Sequence, residues 1–243
     1  MAKLQVVMPM AGRGQRYRDA GFKVPKPLIT VDGKPMFLRA LDSIKTIDFD
    51  LYLIIREDTD IEYDLGTQIK EAYPTATIKV LNFETRGATE SVMAIEKKLD
   101  REAPLLILDC DLLFESPEYL ELMGMGSEMP YDGLLMTFAS SDPRYSYVKS
   151  TLGVARHVRE KVVISDTALI GAYYWKAASN FLKIAREFLT VGVSDTEKEL
   201  YISHTFQKGI ELGLSFRVVE GKFESFGTPE ELSLYNKNIN LLE

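Results

Sequence analysis

Short apolar runs alternate with amphipathic segments along the first half of the chain. Four runs have the length and composition of buried strands, namely residues 4–10, 51–55, 77–82 and 105–109. Three intervening segments show helical spacing of apolar side chains, namely residues 36–47, 61–72 and 89–99. Strands that alternate with helices need crossover connections, which give a parallel sheet covered by helices on both faces. We therefore predict an α/β fold with a Rossmann-like, mixed and mainly parallel sheet flanked by helices.

The second half of the chain is less regular. Its first three apolar segments alternate more like antiparallel strands, at residues 133–138, 147–154 and 161–164. The remaining predicted elements are strands at residues 168–175 and 216–220, and helices at residues 176–189 and 197–212. No internal repeat or flexible linker separates the halves, so we predict one domain over residues 1–243. Residues 1–115 would bind a nucleotide and residues 116–243 would shape the acceptor side.

Composition excludes several classes of protein. The 243 residues carry 29 basic and 36 acidic side chains, a formal net charge of -7. This balance argues against a nucleic-acid groove, which needs a basic surface. Cys110 is the single cysteine, so we expect no intrachain disulfide and a reducing, cytoplasmic setting. No apolar run has the length of a membrane span, and a homo-oligomer is compatible with this composition.

A glycine-rich loop follows the first predicted strand and contains Gly12, Gly14 and Arg16. Ligands of open α/β sheets gather beyond the carboxyl ends of the strands. Glycines allow backbone N–H groups to approach a phosphate, and an arginine can hold a phosphate with two hydrogen bonds. A tight turn after a strand explains the two glycines equally simply, so the loop alone does not indicate a nucleotide site.

A lysine between two prolines lies shortly after this loop. The backbone of Lys26 has little freedom between Pro25 and Pro27, so its ammonium can be aimed at a triphosphate at reduced ordering cost. A solvated loop lysine is the alternative interpretation.

Two acids end the fourth predicted strand. Asp109 and Asp111 lie at alternate positions after residues 105–108, where a sheet of this kind opens to ligands. Carboxylate oxygens suit Mg²⁺, which commonly takes one or two protein carboxylates together with substrate phosphates. We predict Asp111 as a metal ligand, whereas Asp109 would bind the metal through water or hydrogen-bond the neighbouring loops.

A third glycine-containing segment, residues 85–91, connects a predicted strand to a helix. Gly87 would permit close approach of a ligand, and Thr89 would cap the helix, whose free N–H groups favour a polar ligand. A plain capped helix start is the alternative.

Together, these motifs resemble a known signature. The segments Pro9-Met10-Ala11-Gly12-Arg13-Gly14-Gln15-Arg16-Tyr17, Pro25-Lys26-Pro27-Leu28 and Val31-Asp32-Gly33-Lys34-Pro35-Met36 resemble the N-terminal signature of the sugar nucleotidyltransferases. That family comprises the nucleotide-sugar pyrophosphorylases and their cytidylyltransferase relatives. The resemblance implies the nucleotide-diphospho-sugar transferase fold, which is GT-A-like. It assigns the nucleotide to a loop formed by Met10, Ala11, Gly12, Arg13 and Gly14, and the phosphates to Arg16 and Lys26.

The same resemblance extends to the later motifs. It implies that Gly87, Ala88 and Thr89 approach the base, that Asp111 binds the metal, and that Glu160, Lys161 and Gly171 contact the acceptor. We count Asp109 among the nucleotide-binding residues. Residues 223–232 resemble the closing motif of the family, but Ser225 stands where the family often has a second metal aspartate. Either Glu224 replaces that ligand, or Asp111 and the phosphates hold the metal with fewer protein ligands. Glu160 and Lys161 are also compatible with a charged strand edge, and Gly171 with a bulge.

The resemblance implies a Mg²⁺-dependent nucleotidyltransferase. It would move a nucleoside monophosphate from a nucleoside triphosphate to a phosphorylated small acceptor and release pyrophosphate. The acceptor would be a sugar 1-phosphate or a phosphorylated amino alcohol, in a nucleotide-sugar or surface-polysaccharide pathway. Two alternatives stay open: a glycosyltransferase that uses Asp109-Cys110-Asp111 as its metal motif, and a regulatory nucleotide-binding domain without catalysis.

Overall fold

Buried strands lie at the centre of the protein, whose structure is a computed structural model that describes residues 2–191 and 199–240. The strands are Leu4–Pro9 (β1), Thr30–Val31 (β2), Lys34–Pro35 (β3), Phe49–Arg56 (β4), Thr77–Leu81 (β5), Leu105–Leu108 (β6), Leu112–Glu115 (β7), Gly133–Ala139 (β8), Tyr147–Thr151 (β9), Val154–Arg159 (β10), Thr167–Trp175 (β11), Phe216–Glu220 (β12) and Lys222–Ser225 (β13). The helices are Gln15–Asp19 (α1), Met36–Asp42 (α2), Glu57–Tyr63 (α3), Leu65–Ala72 (α4), Ala88–Met93 (α5), Pro117–Gly124 (α6), Ala178–Val191 (α7), Ile202–Glu211 (α8) and Pro229–Asn240 (α9).

Nine of the described strands form one mixed sheet in the order β5-β4-β1-β6-β11-β8-β12-β10-β9. The strands of the first half, β5, β4, β1 and β6, are parallel to one another, as the alternation of strands and helices predicts. Strand β11 then joins β6 and β8 with antiparallel pairing, and β9 and β10 form an antiparallel hairpin. The predicted α/β class with a mixed sheet is confirmed, and both halves of the chain contribute strands to it.

The sheet separates two apolar cores, and alternate residues of β6 divide between them. Leu106 and Leu108 lie in the core beneath α2, α4 and α6, while Leu105 and Ile107 lie in the core beneath α5, α7 and α8. All four side chains are fully buried. Because side chains alternate across a strand, an uninterrupted apolar run is what a strand covered on both faces requires. Packing on both faces fixes β6 in the sheet, and with it the carboxyl end of the strand, from which residues 109–111 follow.

A smaller third core joins the N-terminal segment to the C-terminal helix. It contains Tyr17, Met36, Phe226 and Tyr235, all buried. The single Tyr17 O–H is shared between the backbone carbonyls of Phe226, at 2.7 Å, and of Thr228, at 3.0 Å. The glycine-rich loop and the closing motif, which are about 200 residues apart in sequence, are therefore neighbours.

Several elements differ from the sequence prediction. The helix predicted over residues 61–72 is two helices, α3 and α4, because Asp64 adopts a left-handed conformation with φ 51°. The strand predicted at 147–154 is half of the β9–β10 hairpin, which turns at Leu152 and Gly153. Residues 161–164 are not a strand. The first two residues of the helix predicted at 197–212 lie outside the described residues.

The elements absent from the prediction include the helices α1 and α6 and two strand pairs, β2 with β3 and β7 with β13. Helix α6 has a recognisable start, with Ser116 as its cap and Pro117 as its first residue. In the part of the chain that is described, no helix combines the length and apolar character that a membrane span needs.

Candidate active site

The two predicted metal-site acids lie in the short connection between β6 and β7. The Asp109 backbone N–H donates to the Gly171 carbonyl at 2.8 Å, and the Asp111 carbonyl accepts from the Phe226 N–H at 2.7 Å. These bonds attach the connection to β11 on one side and to the closing motif on the other. The backbone that carries both carboxylates is therefore fixed at the carboxyl end of the central strand β6.

Lys26 forms an ion pair with Asp111. The ammonium contacts the Asp111 Oδ2 atom, and each side chain is 22% exposed. Burial opposes the positive charge on Lys26, but Asp111 and neighbouring acids outweigh this effect, so the pKa of Lys26 is raised. Gly14, at φ 62°, lies against Lys26, since a Cβ at this glycine would be 3.2 Å from the Lys26 Cβ. The glycine-rich loop therefore supports the lysine directly.

Arg16 lies on the short helix α1, which begins after Gly14. The adjacent Tyr17 anchors this helix to the closing motif, so Arg16 is held beside the same cleft as Asp111. Among the described residues the Arg16 side chain has no ion-pair or hydrogen-bond partner, and it is exposed. It is thus an exposed cation available to an anionic ligand.

A cleft of about 360 Å³ is lined by part of the predicted site residues. Its charged lining residues are the cations Arg16, Arg144 and Lys161 and the acids Asp109, Asp111, Glu160, Glu199 and Glu231. Its aromatic lining residues are Tyr145, Tyr173, Tyr201 and Phe223. Ala88 and Gly171 also line it. The structure therefore brings Arg16, Lys26 and Asp111 together with Glu160 and Lys161.

Gly171 lines this cleft, but the space over its Cα is occupied by Asp109. A Cβ at position 171 would be 2.2 Å from the Asp109 Oδ2 and 2.7 Å from its Cγ. We expected Gly171 to let a substrate pass close to the backbone. In the structure its missing side chain accommodates the Asp109 carboxylate instead.

The remaining residues of the predicted nucleotide loop lie outside the cleft lining. Met10 and Ala11 are buried, and the Met10 N–H donates to the Ile54 carbonyl at 2.8 Å. Arg13 forms two hydrogen bonds to the Glu84 carboxylate, at 2.9 and 3.0 Å. The Arg13 side chain lines a second cleft of about 250 Å³, and Gly12, next to it, is exposed.

The segment before α5 differs from the prediction. Gly87 is the residue before the helix, and Thr89 lies within it, so Thr89 is not the helix cap. Thr89 is fully buried, and its N–H donates to the Leu200 carbonyl at 3.0 Å. A Cβ at Gly87, whose φ is 145°, would be 2.7 Å from the same carbonyl oxygen. Gly87 and Thr89 thus pack against residue 200, and Ala88 is the residue of this trio that faces the cleft.

Glu224 does not face the cleft. It lies on β13 between Phe223 and Ser225, both of which line the cleft, and alternate residues of a strand point to opposite sides. The prediction that Glu224 replaces the second metal aspartate is therefore wrong on geometric grounds. Burial raises the pKa of the Glu224 carboxyl.

Glu231 is the acid that lies near Ser225. Its Oε2 atom accepts from the Ser225 hydroxyl at 2.9 Å and from the Thr228 N–H at 3.0 Å. The Thr228 hydroxyl in turn accepts from the Glu231 N–H at 3.2 Å, which makes the pair a capping box at the start of α9. The spacing Thr-x-x-Glu in the sequence could have identified this arrangement.

The sequence prediction missed several cleft residues, namely Arg144, Tyr145, Ser146, Tyr173, Glu199 and Tyr201. Arg144 pairs with Asp142 at 2.7 Å and with Glu231 at 3.2 Å. The turn residues Asp142 and Pro143 before it signal a loop, but no local pattern signals that this loop reaches the cleft.

Asp109 has an unusual protonation equilibrium. Burial raises the pKa of its carboxyl to about 7, with Asp111 and Glu160 acting in the same direction and Lys26 opposing them. Between about pH 4 and pH 7, Asp109 therefore keeps its proton in the folded ligand-free protein but has lost it in the unfolded chain. The stability that this protonated carboxyl contributes declines as pH rises from about 4 to about 7.

An Asp109→Asn variant should reveal this linkage. Asparagine cannot ionise, so the variant should gain Tm relative to the wild type as pH rises, by roughly 4 °C or more between pH 5 and pH 8. Thermal unfolding of the ligand-free proteins in a pH series measures the difference. Asp166→Asn, at an exposed position, is the control and should show no such trend. Parallel Tm curves for wild type and Asp109→Asn would contradict the raised pKa.

Comparisons with known proteins identify the family and the fold of the chain. The family model described as "MobA-like NTP transferase domain" matches residues 6–158. A nucleoside-diphosphate-sugar pyrophosphorylase from Vibrio cholerae RC9 is 22% identical, with a TM-score of 0.80 over 96% of this chain and 99% of its own. The inositol-1-phosphate CTP transferase from T. maritima is 16% identical, with a TM-score of 0.74 over 97% and 95%. A UDP-glucose pyrophosphorylase complexed with UDP-glucose is 15% identical, with a TM-score of 0.78 over 100% of both chains.

These structures show the predicted nucleotide-diphospho-sugar transferase fold. The family match covers more than half of the chain, including the glycine-rich loop, Lys26 and both aspartates. It selects nucleotidyl transfer over the glycosyltransferase alternative. The chain therefore belongs to the family of MobA-like NTP transferase domains and is a nucleotidyltransferase.

Proposed function

We propose that this enzyme transfers a nucleoside monophosphate to a small phosphorylated acceptor, with Mg²⁺, and releases pyrophosphate. The observation that carries the proposal is that Arg16, Lys161 and Asp111 line one cleft and that Lys26 pairs with Asp111 there. Three cations suit two phosphorylated substrates. Similar solved structures include enzymes named for UDP-glucose and for inositol 1-phosphate, which supports a phosphorylated acceptor.

The reaction needs charge neutralisation and alignment more than proton transfer. A phosphate oxygen of the acceptor attacks the α-phosphorus of the triphosphate, and the bond from that phosphorus to the bridging oxygen of pyrophosphate breaks. The acceptor phosphate is ionised at neutral pH, so no general base is required. Arg16 and Lys26 would neutralise the triphosphate and orient it for in-line attack.

The donor set fits Mg²⁺. The Asp111 carboxylate already pairs with a cation, the Lys26 ammonium. Carboxylate oxygens are also the ligands that Mg²⁺ prefers in proteins. The described residues contain no cluster of three or more metal-ligating side chains, so Asp111 together with substrate phosphates would hold the ion. Asp109, half-buried and with a raised pKa, is the weaker candidate. When bound, Mg²⁺ would stabilise negative charge on the phosphoryl oxygens.

A substrate screen tests the proposal. The four nucleoside triphosphates, each with mixed phosphorylated acceptors and Mg²⁺, should yield pyrophosphate in at least one combination. Chelation with excess EDTA should abolish the release, and added Mg²⁺ should restore it. Thermal shifts of the protein with each triphosphate, with and without Mg²⁺, identify the preferred base independently of turnover.

Two other outcomes point elsewhere. Release of a nucleoside diphosphate from a nucleotide sugar would support the glycosyltransferase alternative. Binding of a triphosphate without turnover of any acceptor would support a regulatory domain, for which Ser225 at the usual aspartate position is the motivating feature.

A further inference from the structure

Glu160 is an acid of the cleft with no basic partner among the described residues. It follows β10, and its Oε2 atom accepts hydrogen bonds from the hydroxyls of Ser146 and Ser203, the latter at 2.7 Å. Both serines are buried, at 7% and 1% exposure. Two neutral hydroxyls orient this carboxylate but leave its negative charge uncompensated.

Glu160 and Lys161 both line the cleft although they are consecutive. Neighbouring residues of an extended chain point in opposite directions. Lys161 adopts φ 54°, a left-handed conformation that is unfavourable for a residue with a side chain, and this conformation breaks the alternation. An anionic and a cationic group therefore face the same cavity.

The charges on the acceptor side of the cleft favour a ligand that carries a cation. Arg144 is occupied by Asp142 and Glu231. The Lys161 ammonium lies 4.2 Å from the centre of the Tyr201 ring and contacts the Tyr201 hydroxyl. Because this partner is uncharged, the positive charge of Lys161 can neutralise a phosphate. The charge of Glu160 then remains for a second, positively charged group of the same ligand.

Aromatic rings line the same region. Tyr145 and Phe223 lie with ring centres 6.3 Å apart and planes at 79°, and Tyr173 and Tyr201 complete the aromatic lining. Carboxylates combined with aromatic faces attract ammonium groups, including quaternary ones. A neutral polyol would gain less than an ammonium group from the charge of Glu160 and from the aromatic rings.

We propose that Glu160, with the tyrosine and phenylalanine rings that line the same cleft, binds the ammonium end of the acceptor, while Lys161 binds its phosphate. The acceptor is accordingly a phosphorylated primary or quaternary amine rather than a sugar 1-phosphate. This inference rests on the proposed transfer to a phosphorylated acceptor and names the class of that acceptor.

Acceptor competition tests it. With the preferred triphosphate and Mg²⁺, kcat/KM is measured for phosphocholine, phosphoethanolamine and glucose 1-phosphate. The amine phosphates should exceed glucose 1-phosphate by at least about 100-fold. Glu160→Gln keeps an oxygen acceptor for both serines but removes the charge. It should lower kcat/KM for the amine phosphates roughly 10- to 100-fold, and change that for glucose 1-phosphate less than about threefold.

Glu211→Gln, at an exposed position on α8 outside the cleft lining, is the matched control and should leave all three values unchanged. Calorimetric binding of phosphocholine and glucose 1-phosphate to each variant provides a readout without turnover. A preference for glucose 1-phosphate, or equal losses on both acceptor classes in Glu160→Gln, would overturn the inference and leave the transferase proposal standing. Absence of pyrophosphate with every acceptor would count against the transferase proposal, and the binding preference would still decide the role of Glu160.

Discussion

An Asp111→Asn variant should lose roughly 10²- to 10³-fold in kcat while its KM for the triphosphate changes little. Asparagine retains the shape of the side chain but removes the negative charge that pairs with Lys26 and that would hold Mg²⁺. The lost interaction acts mainly on charge that develops during phosphoryl transfer, so the loss should fall on kcat. Steady-state pyrophosphate release over a series of triphosphate concentrations separates the two parameters.

Asp42→Asn is the matched control for this variant. Asp42 also pairs with a lysine, Lys34, at 2.9 Å, and its side chain is 21% exposed against 22% for Asp111. It lies on α2 and is absent from the cleft lining. The control should lose some stability without a comparable loss of kcat. Unchanged turnover in Asp111→Asn would remove Asp111 from the proposed metal site.

The parallel half of the sheet could be predicted from sequence because its signals are local. Continuous apolar runs such as residues 105–108 indicate strands covered on both faces, and β6 is such a strand. The hairpin of β9 and β10 was not predicted, because Leu152 and Gly153 form a two-residue turn inside a segment whose alternating pattern predicts one strand. Asp64 likewise interrupts a continuous helical pattern by a change in backbone conformation.

The site was predictable where a motif carries its own chemistry. Arg16, Lys26 and Asp111 were identified from the loop, the two prolines and the strand end, and they lie together in the structure. Glu224 was chosen because it is next to Ser225 in sequence, but strand alternation directs it away. Glu231, six residues after Ser225, returns to the same place through the first turn of α9. The spacing Thr-x-x-Glu predicts the hydrogen bonds between Thr228 and Glu231, but no local pattern predicts that Glu231 also contacts Ser225.

Gly171 is another residue whose role depends on a contact distant in sequence, in this case with Asp109. We expect Gly171→Ala to lower stability by about 1–3 kcal/mol, which is roughly 2–10 °C in Tm, and to lower kcat at least about 10-fold. The added Cβ would be 2.2 Å from the Asp109 Oδ2 atom, and the hydrogen bond from the Asp109 N–H to the Gly171 carbonyl prevents the two backbones from separating freely. The Asp109 carboxylate must leave its position over Gly171, and Asp111 lies two residues further along the same connection.

Thermal unfolding and pyrophosphate-release kinetics of Gly171→Ala measure both effects. Gly124→Ala is the control, because a Cβ at Gly124 meets no atom within 4 Å. The double variant Asp109→Gly with Gly171→Ala removes the colliding side chain, so it should be more stable than the sum of the two single changes predicts. If Gly171→Ala kept the wild-type Tm and only raised KM for the acceptor, the space above Gly171 would belong to the substrate and not to Asp109.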